Sequence, residues 1–332
     1  MERKLASIRK IDKIEPIEGA DAIECAHIGG WRVVIKIGDF KEEDLTIYLE
    51  IDSWVPTELA PFLSKGKEPR EFNGVKGERL RTIKLRGQVS QGLLLPLSTL
   101  YERCKDGHDV TELLGVQKWE RPMSAQLAGI AKGNFPSFVY KTDQERIQNL
   151  SKEFEDYKAR ELTFEVTEKL EGSSMTVYYN EGEFGVCSRN LDLKETEDNT
   201  FWKVANALNL KVLLQCFGQN IALQGELIGP GVQGNHYGLS KHDFRVFDIF
   251  DITLQKYWST RERSEFVDLN CLNHAPFYPS YKLAGSMSQI LDLADGGSAL
   301  ANVKREGLVF KCVEDPSISF KAVSNAYLLG EK

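Results

Sequence analysis

Lys169-Leu170-Glu171-Gly172 leaves a strand-like alternation at 162–166, and the reading of these four residues decides what the second half of the chain is. The pattern K-x-x-G alone decides nothing, because it recurs at Lys84, Lys282 and Lys304. What separates Lys169 is its setting. Five further polar elements follow it, each embedded in its own apolar or alternating run. They are Cys187-Ser188-Arg189-Asn190, Leu223-Gln224-Gly225-Glu226-Leu227-Ile228-Gly229, Phe244-Arg245-Val246-Phe247-Asp248-Ile249, Arg305-Glu306-Gly307-Leu308-Val309-Phe310-Lys311 and Ser319-Phe320-Lys321-Ala322-Val323. Strands are expected at 162–166, 175–179, 184–187, 221–228, 244–249, 308–313 and 318–323, with Asn180-Glu181-Gly182 as a hairpin turn. Helices are expected at 144–157, 201–217 and 261–272, the last capped by Ser259 or Thr260.

A competing motif lies inside this region. Gly229-Pro230-Gly231-Val232-Gln233-Gly234 matches G-x-G-x-x-G after a strand. A dinucleotide fingerprint needs its last glycine to open a helix on a parallel sheet. Here 235–243 is short, polar and followed by a strand, so the match is a coincidence of turn glycines.

The six elements in their order resemble the motifs of the covalent nucleotidyltransferase superfamily, which includes ATP-dependent polynucleotide ligases and mRNA capping enzymes. The resemblance implies that Lys169 attacks the α-phosphorus of ATP. A lysine does so only as a free amine, so burial, neighbouring cations or a metal must lower its pKa from about 10.4. Lys311 or Lys321 beside it would serve, and would hold phosphate oxygens in the transition state. Glu171, Glu226 and Glu306 suit a hydrated Mg²⁺ or Mn²⁺ held mainly through water. The resemblance further implies that Glu171 or Arg189 faces the ribose or an incoming strand and that Phe247 stacks on adenine with Asp248 in support. Glu168, Leu170 and Gly172 complete the nucleotide contacts. Taken singly, each residue has an ordinary role: a glutamate on a solvated face, a phenylalanine in a core, a lysine at a sheet edge. Their joint order is what ordinary roles do not explain.

DNA ligases and capping enzymes resemble one another in placing an OB domain after the catalytic domain. This chain ends shortly after Lys321, so the β module must be the one in front. Residues 1–115 do read as short strands at 31–37, 45–51, 79–85 and 92–97 separated by turns. An OB-like module ahead of a transferase domain resembles the Naegleria-type RNA ligases, which seal 3'-OH/5'-phosphate nicks. The expected architecture is therefore α+β: an OB-like β-barrel module at 1–115, a linker at 116–140 and an antiparallel-sheet, ATP-grasp-like nucleotidyltransferase domain at 141–332. Phe135-Pro136-Ser137-Phe138 and the run from Lys141 to Asn149 look like that family's element ahead of the nucleophile, which carries Gln148 into the nucleotide pocket. Motif V departs from the family's frequent K-x-K, since Lys321-Ala322-Val323 keeps one lysine, and this shifts some phosphate binding toward Lys311.

The front module supplies an independent argument. Between Lys65 and Arg86 stand eight basic residues against three acidic ones, in a chain whose formal charge is -7. Arg79, Arg81, Lys84 and Arg86 are the candidates for tracking a nucleic-acid backbone. The overall acidity argues against a protein whose whole surface clamps nucleic acid, not against such a local stripe.

Composition bounds the rest. At 42% hydrophobic and 27% charged the chain lies in the ordinary globular range. Six cysteines without a C-x-x-C pair, and five histidines without H-E-x-x-H, argue against a zinc site or a disulfide framework. No apolar run reaches membrane-span length and the first residues lack a signal-peptide core, so a cytoplasmic monomer is expected. The expected function is ATP-dependent joining of RNA ends in nicked duplexes. The alternatives are a DNA or mixed-strand nick ligase and a non-catalytic RNA-binding scaffold.

Overall fold

The computed structural model describes residues 3–100, 104–120 and 129–330, so the 121–128 part of the expected linker lies outside them. The chain divides into two compact units, Met1–Pro122 with Gln148–Ser151, and Met123–Ile147 with Lys152–Lys332. Among the described residues no helix is long and apolar enough to cross a membrane.

The first unit is built of short antiparallel strands. Leu45–Leu49 lies between Ala6–Lys10 and Leu93–Pro96, and Ile23–Ile28 lies between Lys13–Pro16 and Trp31–Lys36. Ser53–Pro56 joins Gln117–Lys118 to Val75–Arg79. Trp31, Val33 and Ile35 point inward while Arg32 and Lys36 point out, the alternation of a half-buried strand. Ile8, Ile47, Leu49, Val55 and Leu95 form its core. The expected strand at 79–85 is interrupted. Arg79 closes Val75–Arg79, and Ile83–Leu85 starts a separate hairpin with Gln88–Ser90. Arg86 and Gly87 both take positive φ at its tip, the geometry of a two-residue turn matched to strand twist.

The second unit has two sheets. In one, Ser173–Asn180 and Ile221–Ile228 are central and Asp243–Asp251 follows. In the other, Thr163–Lys169 lies between Gly307–Cys312 and Phe277–Lys282, with Ser319–Val323 beyond Gly307–Cys312. Helices Thr200–Ala207, Leu210–Phe217 and Thr260–Leu269 cover one face of the first sheet, burying Met175, Val177 and Leu223 with Phe201 and Phe266. A strand covered on both faces reads as a continuous apolar run, which is why 221–228 was legible. All of it is buried except half-buried Glu226.

Two helix boundaries differ from expectation. The helix expected at 144–157 begins only at Ser151, because Glu145–Arg146 pairs in parallel with Phe320–Lys321 and Ile147–Asn149 forms a tight turn. The helix expected at 201–217 is two helices, broken where Asn209 takes φ 53° just before the second, without a side-chain capping bond. Ser259 caps Thr260–Leu269 reciprocally with Glu262. The glycine-rich run 229–234 is a turn region between antiparallel strands and opens no helix.

Candidate active site

A cavity of about 330 Å³ lies between the two sheets of the second unit, and Lys169 stands in it. Pairing of Lys169 with Gly307 sets Glu306 beside the lysine, and the Nζ donates to Glu306 Oε1 at 2.5 Å. In the other sheet Ser174 pairs with Glu226 on the adjacent strand, so the turn at Gly172 must pass close to that strand. A Cβ on Gly172 would meet Leu227 O at 2.5 Å and Glu226 Cγ at 2.8 Å, and this forbids a side chain at the motif's last position.

The electrostatics run against the expectation that cations loosen the lysine's proton. Burial pushes Lys169 down, but the charge and hydrogen bond of Glu306 and the charges of Glu226 and Glu171 outweigh it, and the ammonium is held above its ordinary range. Burial pushes Glu226 up to about 8, opposed by Lys169. Glu306 is also raised by burial, against the pull of Lys169 and Lys321. When ionised, the three carboxylates around one lysine would leave an excess of negative charge that a cation fits, and a cation would in turn favour their ionisation. Among the described residues no three His, Cys, Asp or Glu side chains converge as direct ligands. The donor set suits a hard, hydrated ion held through water.

Glu168, Leu170, Glu171, Gly172, Arg189, Phe247, Asp248, Lys311 and Lys321 also line the cavity. Their side chains do different things there. The Glu168 carboxylate accepts from Tyr278 Oη at 3.0 Å, Ser298 Oγ at 2.5 Å and the Ala299 amide at 2.8 Å, so it anchors the lysine's strand from behind. Lys311 donates to buried Asp248 and lies 4.7 Å from the Tyr257 ring centroid, which commits its ammonium to a pair inside the protein. Arg189 donates to Asp143 Oδ1 at 2.8 Å, with both side chains half exposed at the mouth. Gln148 falls in the first unit and is absent from the residues lining the cavity; its side-chain amide is buried without a hydrogen-bond partner among the described residues.

Two residues without a sequence signal brace Glu171. Tyr237 Oη accepts from the Glu171 amide at 2.8 Å, and Tyr327 Oη donates to its carboxylate. The His236 ring meets both tyrosines edge to face. In the first unit, Arg79 pairs with Asp52 at 2.6 Å and lies 3.7 Å from the Trp119 ring centroid, whereas Arg81, Lys84 and Arg86 are exposed on and beside the hairpin.

The lysine and three acids share one cavity in the second unit, which follows a unit of short strands along the chain. The RNA ligase family model matches residues 162–323, and an OB-fold domain model matches 5–97. A single-residue mutant of Naegleria gruberi RNA ligase without ligand is similar at 47% identity and TM-score 0.93, over 99% of this chain and 98% of that one. Another mutant with AMP and Mn, and the ligase with PPi, match at 47% identity and TM-score 0.93 over 99% of both chains. No curated protein matches. The chain belongs to the RNA ligase family.

Proposed function

We propose that the chain is an ATP-dependent RNA ligase that joins 3'-OH and 5'-phosphate ends of nicked duplexes. The observation that carries the reading is Lys169 held at 2.5 Å from Glu306, in a cavity shared with Glu171, Glu226, Phe247 and Lys321. The Naegleria relatives solved with ATP and Mn, and with AMP and Mn, support the same choice of nucleotide and metal.

In this reading Lys169 loses its proton to solvent and its Nζ, now a free amine, attacks the α-phosphorus of ATP. A P–N bond forms as the bond to pyrophosphate breaks. AMP then passes to an RNA 5'-phosphate, and the adjacent 3'-OH attacks and releases it. Glu171, Glu226 and Glu306 would hold a hydrated Mg²⁺ or Mn²⁺, which supplies charge neutralisation at the phosphates. Lys321 faces phosphate oxygens, Phe247 stacks on adenine, and exposed Arg81, Lys84 and Arg86 contact the RNA backbone.

Incubation with α-³²P-ATP and either metal, followed by denaturing electrophoresis, tests the first step. A labelled band in wild type that is absent in Lys169→Met is expected. Absence of label in wild type under both metals would overturn the reading and favour the scaffold alternative.

A further inference from the structure

A charge cluster closes one end of the cavity, and the motif residues account for only part of it. Arg263 lies on the helix Thr260–Leu269, outside all six sequence elements, and is 1% exposed. Its Nη2 donates to Glu165 Oε1 at 2.6 Å, and its Nη1 stands 3.7 Å from Asp248 Oδ1. Thr260 donates to the second oxygen of Glu165, and Lys311 donates to Asp248. Glu165 and Lys311 face each other across one sheet, while Asp248 belongs to the other. Two carboxylates and two cations therefore balance, with the guanidinium joining both sheets next to Phe247.

A buried quartet of this kind is weak evidence for stability alone, because well-packed apolar groups in its place are often as stable. A planar fork does something an apolar residue cannot. One arm of it hydrogen-bonds Glu165 while the other stands at ion-pair distance from Asp248, so a single rigid cation meets a carboxylate from each sheet. With the guanidinium gone, Lys311 would stand between two acids competing for one ammonium, and Asp248 would lose its fixed place beside Phe247.

We propose that Arg263 is a positioning residue of the nucleotide site. By holding Glu165 and Asp248 it sets Lys311 and the strand that carries Phe247, and so governs affinity for the nucleotide rather than the attack by Lys169. The proposal rests on the nucleotidyl-transfer reading above for the identity of the ligand.

The test measures equilibrium binding of ATP with Mn²⁺ in a Lys169→Met background, beside single-turnover labelling at varied ATP in proteins that keep the lysine. Arg263→Met is expected to raise the ATP dissociation constant and the half-saturating ATP concentration about tenfold, with the limiting rate within about threefold, as expected when a change weakens ground-state and transition-state binding alike. Arg263→Lys should fall between, since an ammonium is a point charge that does not fork to both carboxylates. In a Glu165→Gln background the effect of Arg263→Met should shrink, because neighbours in one network do not act additively. Unchanged affinity with a smaller labelled fraction would overturn the proposal, leaving Arg263 as fold support. If Arg263→Met does not fold, unchanged ATP affinity in both Arg263→Lys and Glu165→Gln overturns it equally. Wild type that binds ATP but never takes label would sink the covalent reading, while weaker ATP binding in the Arg263 variants would still uphold the positioning role.

Discussion

The two units carry their functional charge in opposite ways. In the second, Lys169, Glu226 and Glu306 share a cavity, where both glutamates raise the proton affinity of Lys169 and Lys169 lowers theirs. In the first, the cations are spread over a surface. Arg70, Lys76 and Arg79 answer Glu78, Glu68 and Asp52, and Lys65, Lys67, Arg81, Lys84 and Arg86 are exposed as well. Buried charges act as a coupled set and exposed ones as nearly independent contributions screened by salt. Substitutions in the cavity should thus be severe and non-additive, and those on the hairpin modest and cumulative.

The sharpest break in this comparison is between two lysines two strand positions apart. Lys321→Ala should lower the rate of Lys169 labelling by about a hundredfold or more, the usual cost of removing a preorganised charge from a transition state. Lys311→Ala should act differently, because its ammonium donates to buried Asp248. It should weaken nucleotide binding and thermal stability, with a smaller effect on the limiting rate. Equal losses in limiting rate for the two variants would show that both lysines face the phosphates.

The pH dependence of labelling follows in size. The carboxylates keep Lys169 protonated in the free protein, and Glu226 ionises only near about 8. Both effects have the same sign: as pH rises, more free amine and more ionised carboxylate are present. At subsaturating metal, labelling should rise by up to about tenfold per pH unit between 6.5 and 8.5. Raising the metal concentration should move that rise to lower pH, since a cation competes with protons for the acids. A flat profile would mean that neither ionisation limits labelling.

Much of this site was legible in the sequence for a physical reason. Glu226 interrupts a strand buried on both faces, and Gly172 occupies a position where the opposing backbone leaves no space for a Cβ. In the sequence these residues stood out only through the joint order of the six elements, and the structure adds the crowding at Gly172. The roles of Lys311 and Lys321 were not separable. They lie on adjacent paired strands, Lys321 opposite Val309, and the partner that marks Lys311, Asp248, comes from the other sheet. Tyr237, Tyr327 and Arg263 were invisible for the same reason, since each is made functional by a partner far along the chain. The basic stretch shows the converse failure. Counting charges from 65 to 86 could not reveal that Asp52 claims Arg79 from across the sheet.

On the hairpin the expected effects are smaller and can be summed. Neutralising Arg81, Lys84 and Arg86 together should leave Lys169 labelling intact and slow sealing of a nicked RNA duplex by about tenfold at moderate salt. The slope of log affinity against log salt should fall by about one for each cation removed. Equal loss of labelling and sealing would abolish the division of labour between the units.

The smallest effect belongs to Arg79, and its smallness is informative. Strand pairing places Arg79 opposite Trp54, its guanidinium meets Asp52 at 2.6 Å, and the Trp119 ring lies 3.7 Å away. Trp119 is itself tied by its amide to Asp52 O at 2.8 Å. Arg79 is thus a clasp between three segments of one unit, with its charge already answered. Partly exposed ion pairs and cation–π contacts are each worth little. Arg79→Ala should lower the melting temperature of the chain by about 2–4 °C. RNA affinity should stay within about twofold and the salt slope should not change, because no phosphate contact is lost. A drop in salt slope equal to that of Arg81→Ala would instead put Arg79 on the RNA and show that its pairing with Asp52 gives way when RNA arrives.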